Sequence, residues 1–529
     1  MSQTAALPAD TDVWRPSVNP WLIASAVMLA TFLEVLDTSV ANVALPNIAG
    51  NLSASTDEAT WVLTSYLVSN AIVLPMTGWL CSVFGRKRFL ITCIVLFTLA
   101  SAACGAATEL GFLILARVIQ GAAGGALQPL SQAILMESFP PAKRGMAMAV
   151  FGMGVVVAPI VGPVLGGWIT DNYSWRWVFY INIPLGALAV VLSHAFLEDP
   201  PYLRAAHERR GGKIDYIGFG ALALWLATLQ IVLDRGQQDD WFNAPWLCWA
   251  TALCGVSFIF FVVRELRTEH PIVDLRVLGN RNFAMGVLLI TVMGIMLYST
   301  TALLPLLLQE LMGYSASESG WTISRRGVGA IISLMFVGRL VGKVDARLLM
   351  TVGFSILAYG TWQFGRINLE IANSNVMWPN VISGLAMGFI FVPLTMSAMG
   401  GLPNEQMSNA AGLYNLMRNI GGSIGISMAA TMVARGAQTH QALLVGHLNP
   451  YNPIFQQHLH AAAGALAHAN PAGAQQQAYG LLYGALQQQS TLCAYIDTFR
   501  VLAFLSLCCV PAVWFIRKVR HGAGPVMAH

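Results

Sequence analysis

Phe32-Leu33-Glu34-Val35-Leu36-Asp37-Thr38-Ser39-Val40-Ala41-Asn42-Val43-Ala44-Leu45-Pro46-Asn47-Ile48 closes an apolar run that begins at Trp21. A membrane-spanning helix needs about 20 apolar residues, and this run supplies them. It also holds two carboxylates. An acid inside such a helix is costly, so it faces a bundle interior or an aqueous cavity and marks a functional site by default. At spacing i, i+3, Glu34 and Asp37 share one helix face. Two carboxyls close together in a partly desolvated site do not both ionise cheaply, so one can hold a proton and release it when another charge arrives.

Of the 529 residues 56% are hydrophobic and only 10% charged, with a mean hydropathy of +0.61. That balance describes a polytopic helical membrane protein and excludes an ordinary soluble core. The net charge of +4 has a simple use, because Lys and Arg mark cytoplasmic loops. The polar leader Met1 to Pro20 is too long for a signal-peptide n-region and no small-residue cleavage site follows, so it is expected to be retained. Seven cysteines (Cys81, Cys93, Cys104, Cys248, Cys254, Cys508, Cys509) lie in apolar stretches and Cys493 near the end of a polar one. None has metal-ligand spacing, so they read as small packing residues.

Apolar runs centre near residues 32, 70, 97, 122, 157, 187, 223, 254, 296, 331, 356, 387, 421 and 507, which predicts about fourteen spans. Basic residues sort onto alternate loops. Arg86-Lys87-Arg88, Lys143-Arg144, Arg204 to Lys213, Arg264 to Arg281, Lys343 to Arg347 and Arg517 to Arg520 fall on one side. Leu45 to Ala59, Thr108 to Gly111 and Gln309 to Ser317, on the other, carry almost none. Both termini are therefore expected in the cytoplasm. The expected division is a leader (1–20), a six-helix bundle (21–197), a basic loop (198–213), two inserted helices (214–263), a loop (264–282), a second six-helix bundle (283–516) and a tail (517–529). Within the second bundle, residues 435–495 form a long Ala/Gln/His-rich extracytoplasmic segment, suited to a helical hairpin or to partial order. It is either a docking surface or a tolerated insertion.

Leu36-Asp37-Thr38-Ser39-Val40-Ala41-Asn42-Val43-Ala44-Leu45-Pro46 resembles the first-span signature of the fourteen-span drug:proton antiporters of the major facilitator superfamily. Asn172-Tyr173, Ile181-Asn182-Ile183-Pro184, Leu233-Asp234-Arg235-Gly236, Pro271-Ile272-Val273-Asp274-Leu275 and Asn419-Ile420-Gly421-Gly422-Ser423-Ile424-Gly425 also fit that family. The resemblance implies an all-α integral membrane protein with the major facilitator fold, two six-helix bundles and two inserted central helices. In the fifth span Gly154, Pro159, Gly162, Pro163, Gly166 and Gly167 resemble the antiporter motif: glycines permit close helix approach and proline bends the helix. Gly78 to Arg88, with Gly78, Gly85, Arg86 and Lys87, resembles the superfamily's cytoplasmic gating loop. Ser82 stands where the common pattern has Asp, which leaves the usual charge relay incomplete and a simple topology anchor as the other reading.

Arg117, in the fourth span, stays charged and must find acceptors or an anion. Beside carboxylates it would compete with the proton; the alternative is a static structural tie. Arg325 and Arg326 open the tenth span and, as adjacent helical residues, point about 100° apart, so both cannot face one cavity equally; either one contacts substrate while the other snorkels outward, or the pair is an interfacial anchor. Asn42, Gln120, Tyr298, Met296 and Arg326 are the candidate substrate contacts, with Asp37, Glu34 and Arg117 for proton coupling. Ordinary packing equally suits Tyr298, Met293 and Met296. His440, His447, His458, His460 and His468 fit no standard metal site.

No ATP-binding loop, nucleophile elbow or dinucleotide fingerprint is present, so no enzyme is expected and energy must come from a gradient or a partner, protons being the simplest choice. The expected activity is proton-driven export of hydrophobic or amphipathic toxic compounds across a bacterial inner membrane, with no cofactor and no nucleic-acid partner. The resemblance further implies a tripartite pump, with a periplasmic adaptor of the EmrA type and an outer-membrane channel of the TolC type. An amphiphile or lipid translocator and a non-transporting sensor of the same fold are the rival readings.

Overall fold

The computed structural model describes residues 16–200, 215–268, 271–467 and 473–517. Most of the leader, the basic loop Arg204 to Lys213, His468 and the tail beyond Arg517 lie outside the described residues. The described residues form helices joined by turns and short loops. In order come α1 (Pro20–Asn51), α2 (Thr56–Val73), α3 (Thr77–Phe84), α4 (Arg86–Gly105), α5 (Leu110–Gly124), α6 (Leu127–Ser138), α7 (Pro141–Asn172), α8 (Trp177–Tyr180) and α9 (Asn182–Phe196). There follow α10 (Tyr216–Arg235), α11 (Pro245–Arg267), α12 (Arg281–Leu306), α13 (Ala316–Leu340), α14 (Ala346–Phe364), α15 (Asn373–Met399), α16 (Met407–Val445), α17 (Pro453–Ala467) and α18 (Ala474–Val513).

Local chemistry sets the helix ends. Asn19 caps α1 by accepting from the Trp21 N–H, and Pro20 fills the first turn, where its missing N–H costs nothing. Ser55 with Glu58, and Ser315 with Glu318, form capping boxes. Gly85, at φ 79°, takes the left-handed backbone that separates α3 from α4.

Among the described residues eleven stretches are long and apolar enough to cross a membrane. The remaining membrane-length helices, α13, α14 and α16 at 25, 19 and 39 residues, are more polar. Every apolar centre read from the sequence falls inside one of these helices. Large apolar side chains such as Leu99, Leu115, Trp249, Val256 and Phe504 are exposed, as lipid-facing surfaces require.

Where it is described, the Ala/Gln/His-rich segment is mainly helical. α16 continues to Val445, α17 follows and α18 begins at Ala474, because Ala, Gln and Leu are strong helix formers. Phe455 and Leu459 of α17 pack with Ala478 of α18, flanked by Leu448, Leu466 and Leu482.

The chain gathers into two compact units. One draws on the chain up to Ala223 with Phe260–Val277 and Leu402–Asn415; the other draws on Leu224–Ile259, Leu278–Gly401 and the chain from Leu416 onward. In the first unit α1 packs on α7 and α9, α2 on α5, and α4 on α5 and α9. Ser17, ahead of α1, donates through its backbone N–H and hydroxyl to Glu198, just beyond α9. In the second, α15 packs on α13 and α14, and α18 on α14 and α12.

Candidate functional site

Glycines bring the elements of the first unit together. A Cβ at Gly121 would overlap the Tyr66 carbonyl and the Ser69 hydroxyl, and one at Gly125 the Asn70 carbonyl. Only glycine at those positions lets the fourth span lie against α2 backbone to backbone. That approach delivers Arg117 and Gln120 of α5 to Asp37 of α1.

Asp37 and Arg117 are fully buried, with Arg117 Nη1 2.6 Å from Asp37 Oδ2. Asp37 Oδ1 accepts from Gln120 Nε2 at 2.8 Å and from Asn182 Nδ2 at 2.6 Å. Asn182 also donates to Ser101 Oγ at 2.9 Å. Arg117 donates from Nε to the Val62 carbonyl at 3.1 Å and from Nη1 to Gln120 Oε1 at 2.9 Å. Its guanidinium lies 4.3 Å from the Tyr66 ring centroid, a cation–π contact in a desolvated setting. The cluster is thus an ion pair with its carboxylate saturated by donors, the condition under which a buried pair is tolerated.

Glu34 meets different partners. Its Oε1 accepts from Asn70 Nδ2 at 3.2 Å and its Oε2 from Gln128 Nε2 at 2.6 Å. Three residues of helix rise are about 4.5 Å, enough to set the two acids against different side chains although they share a face. Gln120 accordingly belongs to the Asp37 cluster, while Asn42 is exposed on α1, away from it. Sequence reasoning misses Asn70, Gln128, Asn182 and Tyr66, for which the available signal is a single amide, or for Tyr66 a phenol, in an apolar helix.

The glycine- and proline-bearing helix α7 packs on α1, the helix that carries both acids. A Cβ at Gly162 would overlap the Ser39 side chain, one at Gly166 would reach 2.8 Å from Val40 Cγ1, and one at Gly154 would crowd the Met28 methyl. At Gly167 a Cβ would only touch Val43. Pro163 supplies no N–H to the Pro159 carbonyl one turn earlier, and Ser39 Oγ approaches that carbonyl at 3.5 Å.

In the Gly78 to Arg88 segment Arg86 is buried and ion-paired with Glu137 of α6, and its Nε donates to Ser408 Oγ at 3.1 Å. Lys87 donates from its backbone to Asp199 at 2.8 Å and from Nζ to the His194 carbonyl at 2.7 Å. Gly78 lies against the backbone of Asn409. Ser82 donates to the Trp79 carbonyl of its own helix, so Glu137 supplies Arg86 with the carboxylate that position 82 lacks.

In the second unit Met293 and Met296 are buried, Tyr298 is half-buried against Gly422, Arg325 is exposed and Arg326 is buried. His440 lies 2.8 Å from Asp497.

Residues 27–426 match the family described as Major Facilitator Superfamily. The chain belongs to the major facilitator superfamily. It is 38% identical over 502 residues to the multidrug export protein EmrB of Escherichia coli strain K12, covering 94% of this chain and 95% of that protein. It is 35% identical over 498 residues to the fatty acid resistance protein FarB of Neisseria gonorrhoeae, covering 94% and 96%. The fold matches the human organic anion transporter MFSD10 with a TM-score of 0.60 at 14% identity, over 93% of this chain and 100% of that one. The proton:xylose symporter XylE matches with a TM-score of 0.59 at 14% identity, over 93% and 96%. The carrier is thus a multi-pass membrane protein of a transporter family, not an enzyme.

Proposed function

We propose that this carrier is a proton-coupled antiporter that exports hydrophobic or amphipathic compounds across a bacterial inner membrane, with both termini in the cytoplasm. The buried Asp37–Arg117 pair carries the reading. Arg cannot accept a proton bond and cannot give up its charge, so guanidinium and proton compete for the same carboxylate oxygens. A proton arriving at Asp37 loosens Arg117, Gln120 and Asn182 together and frees three helices to rearrange. Glu34 differs, because Gln128 and Asn70 are amides that both donate and accept. Its proton can come and go with little rearrangement, which suits a tuning role beside Asp37.

The names of the relatives, a multidrug exporter and a fatty acid resistance protein, support a substrate set of apolar and amphipathic molecules. Similarity to EmrB over nearly the whole chain supports a tripartite assembly with an EmrA-type adaptor and a TolC-type channel. The α16–α17–α18 hairpin is the surface proposed for the adaptor.

Substrate-induced proton movement in proteoliposomes holding a pH dye tests the coupling. Proton release on adding a substrate, abolished in Asp37→Asn and only shifted in pH dependence in Glu34→Gln, is the expected result. Coupling that persists in Asp37→Asn would remove Asp37 from the mechanism.

A further inference from the structure

Buried guanidiniums need anions: Arg117 has Asp37 and Arg86 has Glu137. Arg326 has none among the described residues. It is 9% exposed, ten residues into α13 from Ala316, and so about 15 Å along the helix, half of a bilayer's hydrocarbon thickness of about 30 Å. Its Nη1 donates to Thr301 Oγ1 of α12 at 3.2 Å, while Nε and Nη2 have no hydrogen-bond partner among the described residues. The surrounding helices supply no counterion: α12, α14 and α15 contain no Asp or Glu, and the one acid of α13, Glu318, caps the first turn with Ser315. Against α15 the backbone is close-packed, since a Cβ at Gly384 would overlap the Arg326 carbonyl.

The two unused groups are neighbours. Nε–H and Nη2–H form the side edge of the guanidinium, the edge that takes a carboxylate through two parallel hydrogen bonds. A charge left uncompensated at this depth is expensive, and an incoming anion would recover that cost. We propose that Arg326 is the anchor for the carboxylate of an amphipathic acid, a single carboxylate on an apolar body, carried by this protein. The inference rests on the export reading for its purpose but not for its test. Arg325, exposed beside it, takes no part.

The experiment is equilibrium binding of dodecanoate and of its methyl ester to the purified full-length protein in phosphatidylcholine nanodiscs, corrected with empty nanodiscs. No pH gradient is present, so the result stands apart from that of the antiport assay. Hydrogen bonds to a charged group give about tenfold or more in affinity, so wild type should prefer the acid by at least that factor. Arg326→Gln should bind acid and ester alike, and Arg326→Lys, keeping charge without the fork, should retain part of the preference. Equal affinity of wild type for acid and ester overturns the proposal whether or not the variants fold. Displacement of dodecanoate by added phosphatidylglycerol overturns it too, by assigning the edge to a lipid phosphate.

Discussion

Asp37 accepts from Arg117, Gln120 and Asn182, and every one of those donors is buried. Removing the carboxylate charge alone strands a guanidinium among apolar helices, a loss of about 3–5 kcal/mol. Asp37→Asn should therefore melt well below wild type. Asp37→Asn with Arg117→Gln, which removes both charges, should recover part of that loss in the same thermal-unfolding assay. A double variant no more stable than Asp37→Asn would show that the pair is not the source of the loss. The acids and Arg117 were legible in the sequence because charge in an apolar run is conspicuous. Asn70, Gln128 and Asn182 were not, since a single amide in such a run is unremarkable until a carboxylate is found opposite it.

Helix α7 meets α1 through specific glycines, and the structure separates those that matter from those that do not. Gly162→Ala should destabilise by about 1–3 kcal/mol, the usual cost of overpacking, because its Cβ collides with Ser39. Gly167→Ala, facing open space and one distant Val43 methyl, should be neutral. Equal melting temperatures for the two variants would contradict the packing. At one end of the inserted pair, Asp215 receives Arg264 Nε at 3.1 Å and Nη2 at 3.0 Å, and the Gly218 N–H at 3.0 Å. Burial pushes the Asp215 carboxyl up, but the bonds from Arg264 and Gly218 outweigh it and hold it below the usual range. A carboxyl lowered on folding stabilises above its unfolded pKa, about 4, and loses that contribution as pH falls through the folded value. The stability gap between wild type and Asp215→Asn should accordingly be open at pH 7 and narrow on acidification below about pH 4; a constant gap would mean that Asp215 contributes nothing through its charge.

Across the whole molecule, the alternation of basic loops makes a sidedness that labelling can check. In a cysteine-free background, Tyr451→Cys, at a position 95% exposed between α16 and α17, should react with a membrane-impermeant maleimide added to spheroplasts. Ala142→Cys, at the exposed start of α7, should react only after permeabilisation. The reverse pattern would invert the topology and the direction of the proposed transport.

The sequence by itself determined where the apolar stretches lie, their helical nature and the presence of acids within them, because bilayer thickness fixes span length and lipid forbids unpaired backbone. Only the tertiary structure decided the partnerships. Glu34 and Asp37 share a helix face yet face different neighbours, Arg86 pairs with Glu137 of a distant helix, and Arg326 is a buried guanidinium whose Nε and Nη2 have no partner among the described residues. Those outcomes depend on which helices pack together and at what height, a relation between distant parts of the chain that no local pattern encodes.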